Sequence, residues 1–336
     1  LSPLRFAAWA LALAATPAGA AERPVYGPEL EGFDYPHPVK RFEFVSQGQP
    51  AAMAYLDVAP ERANGRTIVL LHGKNFCAAT FEGLIAALTG AGYRVVAPDQ
   101  VGFCKSSKPA GYQFSFHQFA ANTNALLKEL GIAKATILGH SMGGMLAARY
   151  ALSYPEATER LVMVNPLGLE DWQAEGVPYA TVDALYAQEL KTSFDTIKAY
   201  QLKFYYDGQW KPDYDRWVEM SAGLYAGPGR ETVAAIGART SEMIFTQPVI
   251  YEFGRIAAPT TLMIGQKDRT APGANRAPAE VQKRLGDYPA LGRRAAAAIP
   301  GAELVAFDGL GHSPQVEAPE IFNAALLKAL GDRAPQ

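Results

Sequence analysis

The chain has 336 residues, 49% of them hydrophobic and 19% charged, with 31 Lys and Arg against 33 Asp and Glu. Those proportions exclude a disordered or fibrous chain, and a net charge of −2 leaves no basic excess for nucleic acid. A chain of this length buries on the order of three quarters of its unfolded surface, so it can close a large core unaided.

Arg5 is followed by an uninterrupted apolar run, Phe6 to Ala15, then by Thr16-Pro17 and the small residues Ala18-Gly19-Ala20. This is the layout of a secretory signal peptide over residues 1–20, cleaved near Ala20. The apolar run is well short of the ~20 residues that span a bilayer. No Cys follows the cleavage signal to carry a lipid, so the mature chain is expected to be periplasmic or secreted, with no stable membrane anchor. Residues 21–40 read as an extended lead-in. Residues 41–47 and 51–58 then read as an antiparallel strand pair joined by a turn at Gln47-Gly48-Gln49-Pro50.

From there the pattern changes to short apolar runs of the kind buried on both faces of a sheet. They are Thr67–Leu71, Tyr93–Ala97, Ala135–Leu138, Leu161–Asn165, Thr260–Ile264 and Leu304–Phe307. Amphipathic helical patterns lie between them, as in Phe116, Phe119, Thr123, Leu126, Leu127 and Leu130, stopped by Gly131. Strands alternating with helices predict an α/β fold with a mostly parallel, doubly wound sheet. The alternation lapses between about 167 and 250, where helical segments such as 181–206 and 213–225 carry eleven aromatics between Trp172 and Trp217. The predicted organisation is a core of residues 41–166 and 251–336, with a helical cap of 167–250 inserted after the sixth strand.

The sharpest chemical signal is Gly139-His140-Ser141-Met142-Gly143, followed by Gly144, placed between a buried strand and a helix. A nucleophile on so tight a turn has no room for neighbouring Cβ atoms, and glycines two residues to either side supply it. The turn lifts the Ser141 hydroxyl off the sheet and aims the following amide at a developing oxyanion. With this motif in this context, the chain from roughly 41 to 331 resembles an α/β-hydrolase fold protein. The segment Leu70-Leu71-His72-Gly73 matches the family as well. The resemblance implies that the next residues, Lys74 or its neighbour Asn75, supply one oxyanion-hole amide and Met142 the other. It also implies a loop-shaping, non-catalytic role for Asp99.

A serine hydroxyl needs a base to take its proton. Of five histidines, His37 lies in the lead-in, His117 opens a helix, and His72 and His140 belong to the two turn motifs. His312, directly after the last strand run, is left as the base. Asp268, after the penultimate strand run, is the expected orienting acid, with Glu170 and Asp171 as alternatives one strand earlier. The order Ser141, Asp268, His312 is that of the family. The same resemblance places the strands ending at Leu71 and Ala97 side by side, so Cys77 and Cys104 stand on loops at one sheet edge, either bridged or as two buried thiols.

These residues predict a carboxylesterase-like serine hydrolase that acts on a small apolar substrate through an acyl-enzyme and needs no cofactor or metal. Phe76, Trp172, Tyr205 and Trp210 are the expected substrate-binding aromatics. Carbon–carbon bond hydrolases and lactonases of the same fold are alternatives, as is a ligand-binding receptor that keeps the triad without turnover. Haloalkane dehalogenases and epoxide hydrolases share the cap and residues such as Gly102 and Ser106–Pro109, but they use an aspartate where this chain has Ser141. The sequence leaves the oligomeric state and the substrate's identity open.

Overall fold

The structure, a computed structural model, describes residues 23–331; the expected leader and its cleavage signal lie outside them. Eight strands form one sheet: β1 Lys40–Ser46, β2 Gln49–Val58, β3 Thr67–Leu71, β4 Arg94–Pro98, β5 Ala135–His140, β6 Thr158–Val164, β7 Thr260–Gly265 and β8 Glu303–Phe307. Their spatial order is β1-β2-β4-β3-β5-β6-β7-β8. β1 and β2 pair antiparallel, β2 meets β4 antiparallel, and every pairing from β4 to β8 is parallel. The chain order thus reverses between β3 and β5, where ligands of open parallel sheets bind beyond the strands' C-terminal ends.

The continuous apolar runs are explained by burial on both faces. Val69, Leu71, Val96, Ile137, Leu161, Met163, Leu262 and Ile264 belong to one core cluster, while Ile68, Leu70, Val95, Leu138, Val162 and Met263 belong to the other. Alternate residues of each strand therefore feed opposite cores, as the period-2 pleat dictates. Helices Phe116–Glu129, Met142–Ser153 and Tyr288–Ala298 cover the first face, and Glu82–Gly90 and Pro319–Ala329 cover the second. Ser115 caps the first of these by accepting from the Gln118 amide at 3.0 Å.

Strand boundaries differ from expectation where hydrogen bonding outruns burial. β6 starts at Thr158 rather than Leu161, because Thr158 and Arg160 pair with β5 although Glu159 and Arg160 are only half-buried. The hairpin turn tightens to Gln47-Gly48, both at positive φ (54° and 74°), which leaves Gln49 and Pro50 inside β2. The lead-in is extended but also firmly packed. Leu30 and Phe33 are buried, the Tyr26 amide donates to the Gly223 carbonyl at 3.0 Å, and Cβ atoms at Gly223 and Gly227 would collide with Tyr26.

Between β6 and β7 stand four main helices, Val182–Glu189, Phe194–Phe204, Asp215–Ala226 and Arg230–Thr246. Ser193 and Thr196 form a reciprocal capping box at the start of the second. No helix among the described residues is long and apolar enough to cross a membrane.

Candidate active site

Ser141 sits at the β5-to-helix turn with φ 58° and ψ −120°, a conformation that costs a non-glycine residue roughly 1–3 kcal/mol. The surrounding packing enforces it. A Cβ on Gly139 would collide with the Gly143 carbonyl, and one on Gly143 with the Leu71 carbonyl. The glycines of the motif are therefore required by close backbone approach, and the turn projects Ser141 into a cavity of about 660 Å³ between sheet edge and cap helices.

His312 and Asp268 arrive on loops after β8 and β7. His312 Nε2 lies 2.9 Å from Ser141 Oγ, and His312 Nδ1 lies 2.6 Å from Asp268 Oδ2. A carboxylate only accepts, so Nδ1 carries the proton and Nε2 is left to accept from the serine hydroxyl. Asp268 is itself held. Asn165 Nδ2 donates to its Oδ2 at 2.9 Å and the Thr270 amide to its Oδ1 at 2.8 Å. Asn165 in turn accepts from the Gly265 amide at 2.8 Å. Sequence reasoning passed over Asn165, although a polar residue closing an apolar strand run was a usable signal.

The backbone of His312 is clamped on three sides. Its amide donates to the Tyr205 carbonyl and its carbonyl accepts from His140 Nε2, both at 2.8 Å. The flanking amides of Gly311 and Ser313 donate to Glu317, at 2.9 and 3.2 Å on Oε1. Burial pushes the Glu317 carboxyl up to about 7. Burial also holds His140 well below the usual histidine range and lowers His72, so both serve as neutral hydrogen-bonding groups. His72 Nε2 accepts from the Gln100 amide at 3.0 Å while Nδ1 donates to the Gly73 carbonyl at 2.9 Å. His117 is exposed and takes part in none of these bonds.

The acid alternatives stand elsewhere. Glu170 accepts from Trp172 Nε1 at 3.1 Å and from the Gly286 amide at 3.0 Å, and Asp171 accepts from Tyr251 at the surface. Asp99 is fully buried and accepts from Tyr35 Oη at 2.6 Å and from the Ala78 amide at 2.8 Å, tying together the loops that follow β3 and β4.

Lys74 and Asn75 lie on the loop after β3, facing the cavity beside Ser141. Among the described residues, neither the Lys74 nor the Met142 amide donates to a protein acceptor. The loop is strapped from the cap side by three contacts. Lys74 Nζ pairs with Glu189 at 2.6 Å, Asn75 Nδ2 donates to Tyr205 Oη at 3.0 Å, and Ser221 Oγ donates to the Asn75 carbonyl at 3.1 Å. Glu189 also accepts from Tyr225 Oη at 2.5 Å, and Lys74 holds its carboxyl below the usual range despite burial. From the core side, Cys77 and Cys104 are joined by a disulfide, with Cα atoms 5.9 Å apart.

Of the four expected substrate aromatics, Phe76 and Tyr205 line the cavity, and the Tyr205 ring also stacks against His312 at 4.3 Å. Trp172 and Trp210 do not line it, which corrects their assignment. Trp172 is buried with its indole N–H spent on Glu170. Trp210 packs among Tyr206, Tyr214 and Lys198 and donates to Asp215 at 3.0 Å. Aromatic density along the sequence does not say which rings pack helices and which face the void.

Comparison with known proteins agrees with this architecture. The alpha/beta hydrolase fold family matches residues 66–319. A probable hydrolytic enzyme from Pseudomonas aeruginosa PAO1 superposes with a TM-score of 0.91 at 62% identity, covering 92% of this chain and 99% of that one. A 2-hydroxy-6-oxononadienedioate/2-hydroxy-6-oxononatrienedioate hydrolase from Comamonas testosteroni is 27% identical over 81% of this chain and 90% of its own. Lipase 3 from Moraxella sp. is 27% identical over 77% of this chain and 75% of its own. Sheet order, strand-to-helix serine turn and family match together make this chain a member of the α/β-hydrolase fold family.

Proposed function

We propose that the chain is an exported serine hydrolase that cleaves a carboxylic ester or a related acyl bond of a small substrate. The observation that carries this reading is the continuous hydrogen-bond chain Ser141–His312–Asp268 with its serine end open to the cavity. Ser141 Oγ attacks the carbonyl carbon as its proton passes to His312 Nε2. Asp268 keeps the imidazole in the required tautomer and balances the imidazolium. The amides of Met142 and Lys74 receive the oxyanion, an interaction whose loss commonly costs ~100- to 1,000-fold in turnover. The imidazolium then gives its proton to the leaving alcohol. Water, deprotonated by the same imidazole, releases the acid from the acyl-enzyme.

The leader-like residues 1–20 and the Cys77–Cys104 bridge both support export, because disulfides persist in oxidising compartments. The family members named above include enzymes acting on esters and on carbon–carbon bonds. Resemblance to the 2-hydroxy-6-oxononadienedioate hydrolase supports carbon–carbon cleavage as a second reading. An organophosphonate probe should label the mature protein at Ser141, and Ser141→Ala should abolish labelling and lower ester turnover by about 10⁴-fold or more. An unlabelled, folded wild-type protein would end this reading. Turnover of a vinylogous diketone with none of any ester would select the second.

A further inference from the structure

We propose that the substrate carries a carboxylate at the end of its acyl chain and that Arg276 seats it. The position of the reacting carbonyl rests on the serine-hydrolase reading; the anion site does not. The whole chain has a net charge of −2, yet the cavity wall is positive. Lys74, Lys108, Lys191, Lys203 and Arg276 line it against Glu189 and Glu242. Two of the cations are already spent. Lys74 pairs with Glu189, and Lys108 Nζ donates to the carbonyls of Cys104 and Ser106 at 2.9 and 3.1 Å. Lys191, Lys203 and Arg276 then face the single remaining acid, Glu242.

Arg276 is the one of the three that is built into place. It closes the cavity-lining loop Thr270–Arg276 that follows Asp268. Its Nε donates to the cap carbonyl of Pro178 at 3.2 Å, and its guanidinium lies 5.5 Å from the centre of the Phe245 ring. Gly273, at φ 78°, leaves the space the guanidinium fills, since a Cβ there would collide with Nη2. The anchoring uses Nε alone, so both Nη groups are left without a protein acceptor among the described residues. That end-on pair is the geometry that receives a carboxylate with two parallel hydrogen bonds. Partial burial lowers the affinity of Arg276 for its proton, with no carboxylate nearby to offset it. Phe76, Leu167 and Ile244 supply apolar wall in the same cavity for the connecting chain.

The test compares monoethyl adipate with ethyl 6-methylheptanoate, in which an isopropyl group replaces the carboxylate. The expected wild-type preference in kcat/KM for the anionic ester is about 10- to 100-fold at low ionic strength, shrinking as salt is added. In Arg276→Gln the ratio should fall to near one, and Arg276→Lys should retain part of it. An equal fall on both esters in Arg276→Gln, or no wild-type preference, overturns the proposal. Calorimetric binding of the same two esters to Ser141→Ala, with and without Arg276→Gln, decides the anion site without turnover. If wild type hydrolyses neither ester while Ser141→Ala still binds the anionic one more tightly through Arg276, the hydrolytic reading fails and the anion site stands. Equal binding of the two esters overturns the anion site.

Discussion

On the core side of the cavity, Ser141 is 4% exposed and His312 and Asp268 are fully buried, with Asn165 and Thr270 bonded to Asp268 and His140 to the His312 carbonyl. On the cap side, Tyr179 and Tyr200 line the same void while 53% and 37% exposed, and Lys191 and Lys203 are exposed as well. The core wall is buried and cross-linked by hydrogen bonds, and part of the cap wall is open to solvent. Chemistry that depends on a few tenths of an ångström belongs on the first, and discrimination between substrates, which depends on shape and charge, belongs on the second. The loop Lys74–Asn75 breaks this division. It belongs to the core by sequence but takes three of its contacts from the cap.

On the proposed mechanism, the largest effect expected after loss of Ser141 is at Asp268. In Asp268→Asn, an amide N–H in place of a carboxylate oxygen would turn His312 to the wrong tautomer. The expected fall in kcat is about 10³- to 10⁴-fold with little change in KM, read by steady-state kinetics. A change confined to KM would show that the core wall binds rather than reacts.

Glu189→Gln tests the exception. It leaves Lys74 half-buried without its counter-charge and loosens the Lys74–Asn75 loop, proposed above to carry an oxyanion amide. A drop of about 10- to 100-fold in kcat is expected, with KM nearly constant. An unchanged kcat with a raised KM would place Glu189 with the rest of the cap as a substrate contact.

The disulfide fastens the same loop from below. Replacing both Cys77 and Cys104 with Ser should lower the unfolding free energy by about 3–4 kcal/mol for a loop of this length, measured by guanidinium denaturation.

The smallest effect is expected at Glu317. Its folded pKa, about 7, exceeds the ordinary 4.5, so between those values the unfolded chain releases a proton that the native chain keeps. Stability contributed by this group is full below pH 4.5 and is lost as pH rises toward 7. Glu317→Gln should therefore flatten the decline of unfolding free energy across that window, measured by urea titration at several pH values. An identical slope in wild type and variant would remove Glu317 from the pH response.

Much of the fold and the hydrogen-bonded triad geometry was legible because each is written in short-range pattern. The buried strands β3, β5 and β7 declare themselves as four- or five-residue runs, Thr67–Leu71, Ala135–Leu138 and Thr260–Ile264, and Gly139 to Gly144 declare a turn too crowded for side chains. His312 emerged because four other histidines had assignable places. The supporting residues were not legible. Glu189 sits on a cap helix of ordinary polarity, and nothing in Val182–Glu189 distinguishes it from a solvated acid. Trp172 and Trp210 failed in the opposite direction, since a tryptophan that fills a helix interface looks the same in sequence as one that faces a cavity.

Local pattern alone thus determined the layered α/β architecture and the strand-to-helix serine turn, because backbone conformation and burial period are set by neighbours a few residues apart. Folding in three dimensions decided what reaches across long separations. It brought Lys74 to Glu189, 115 residues on, and Asn165 to Asp268, 103 residues on. It also decided which cavity cations meet protein partners, Lys74 with Glu189 and Lys108 with the carbonyls of Cys104 and Ser106. Charge pairing depends on distances of a few ångströms in space, and no spacing along the chain encodes them.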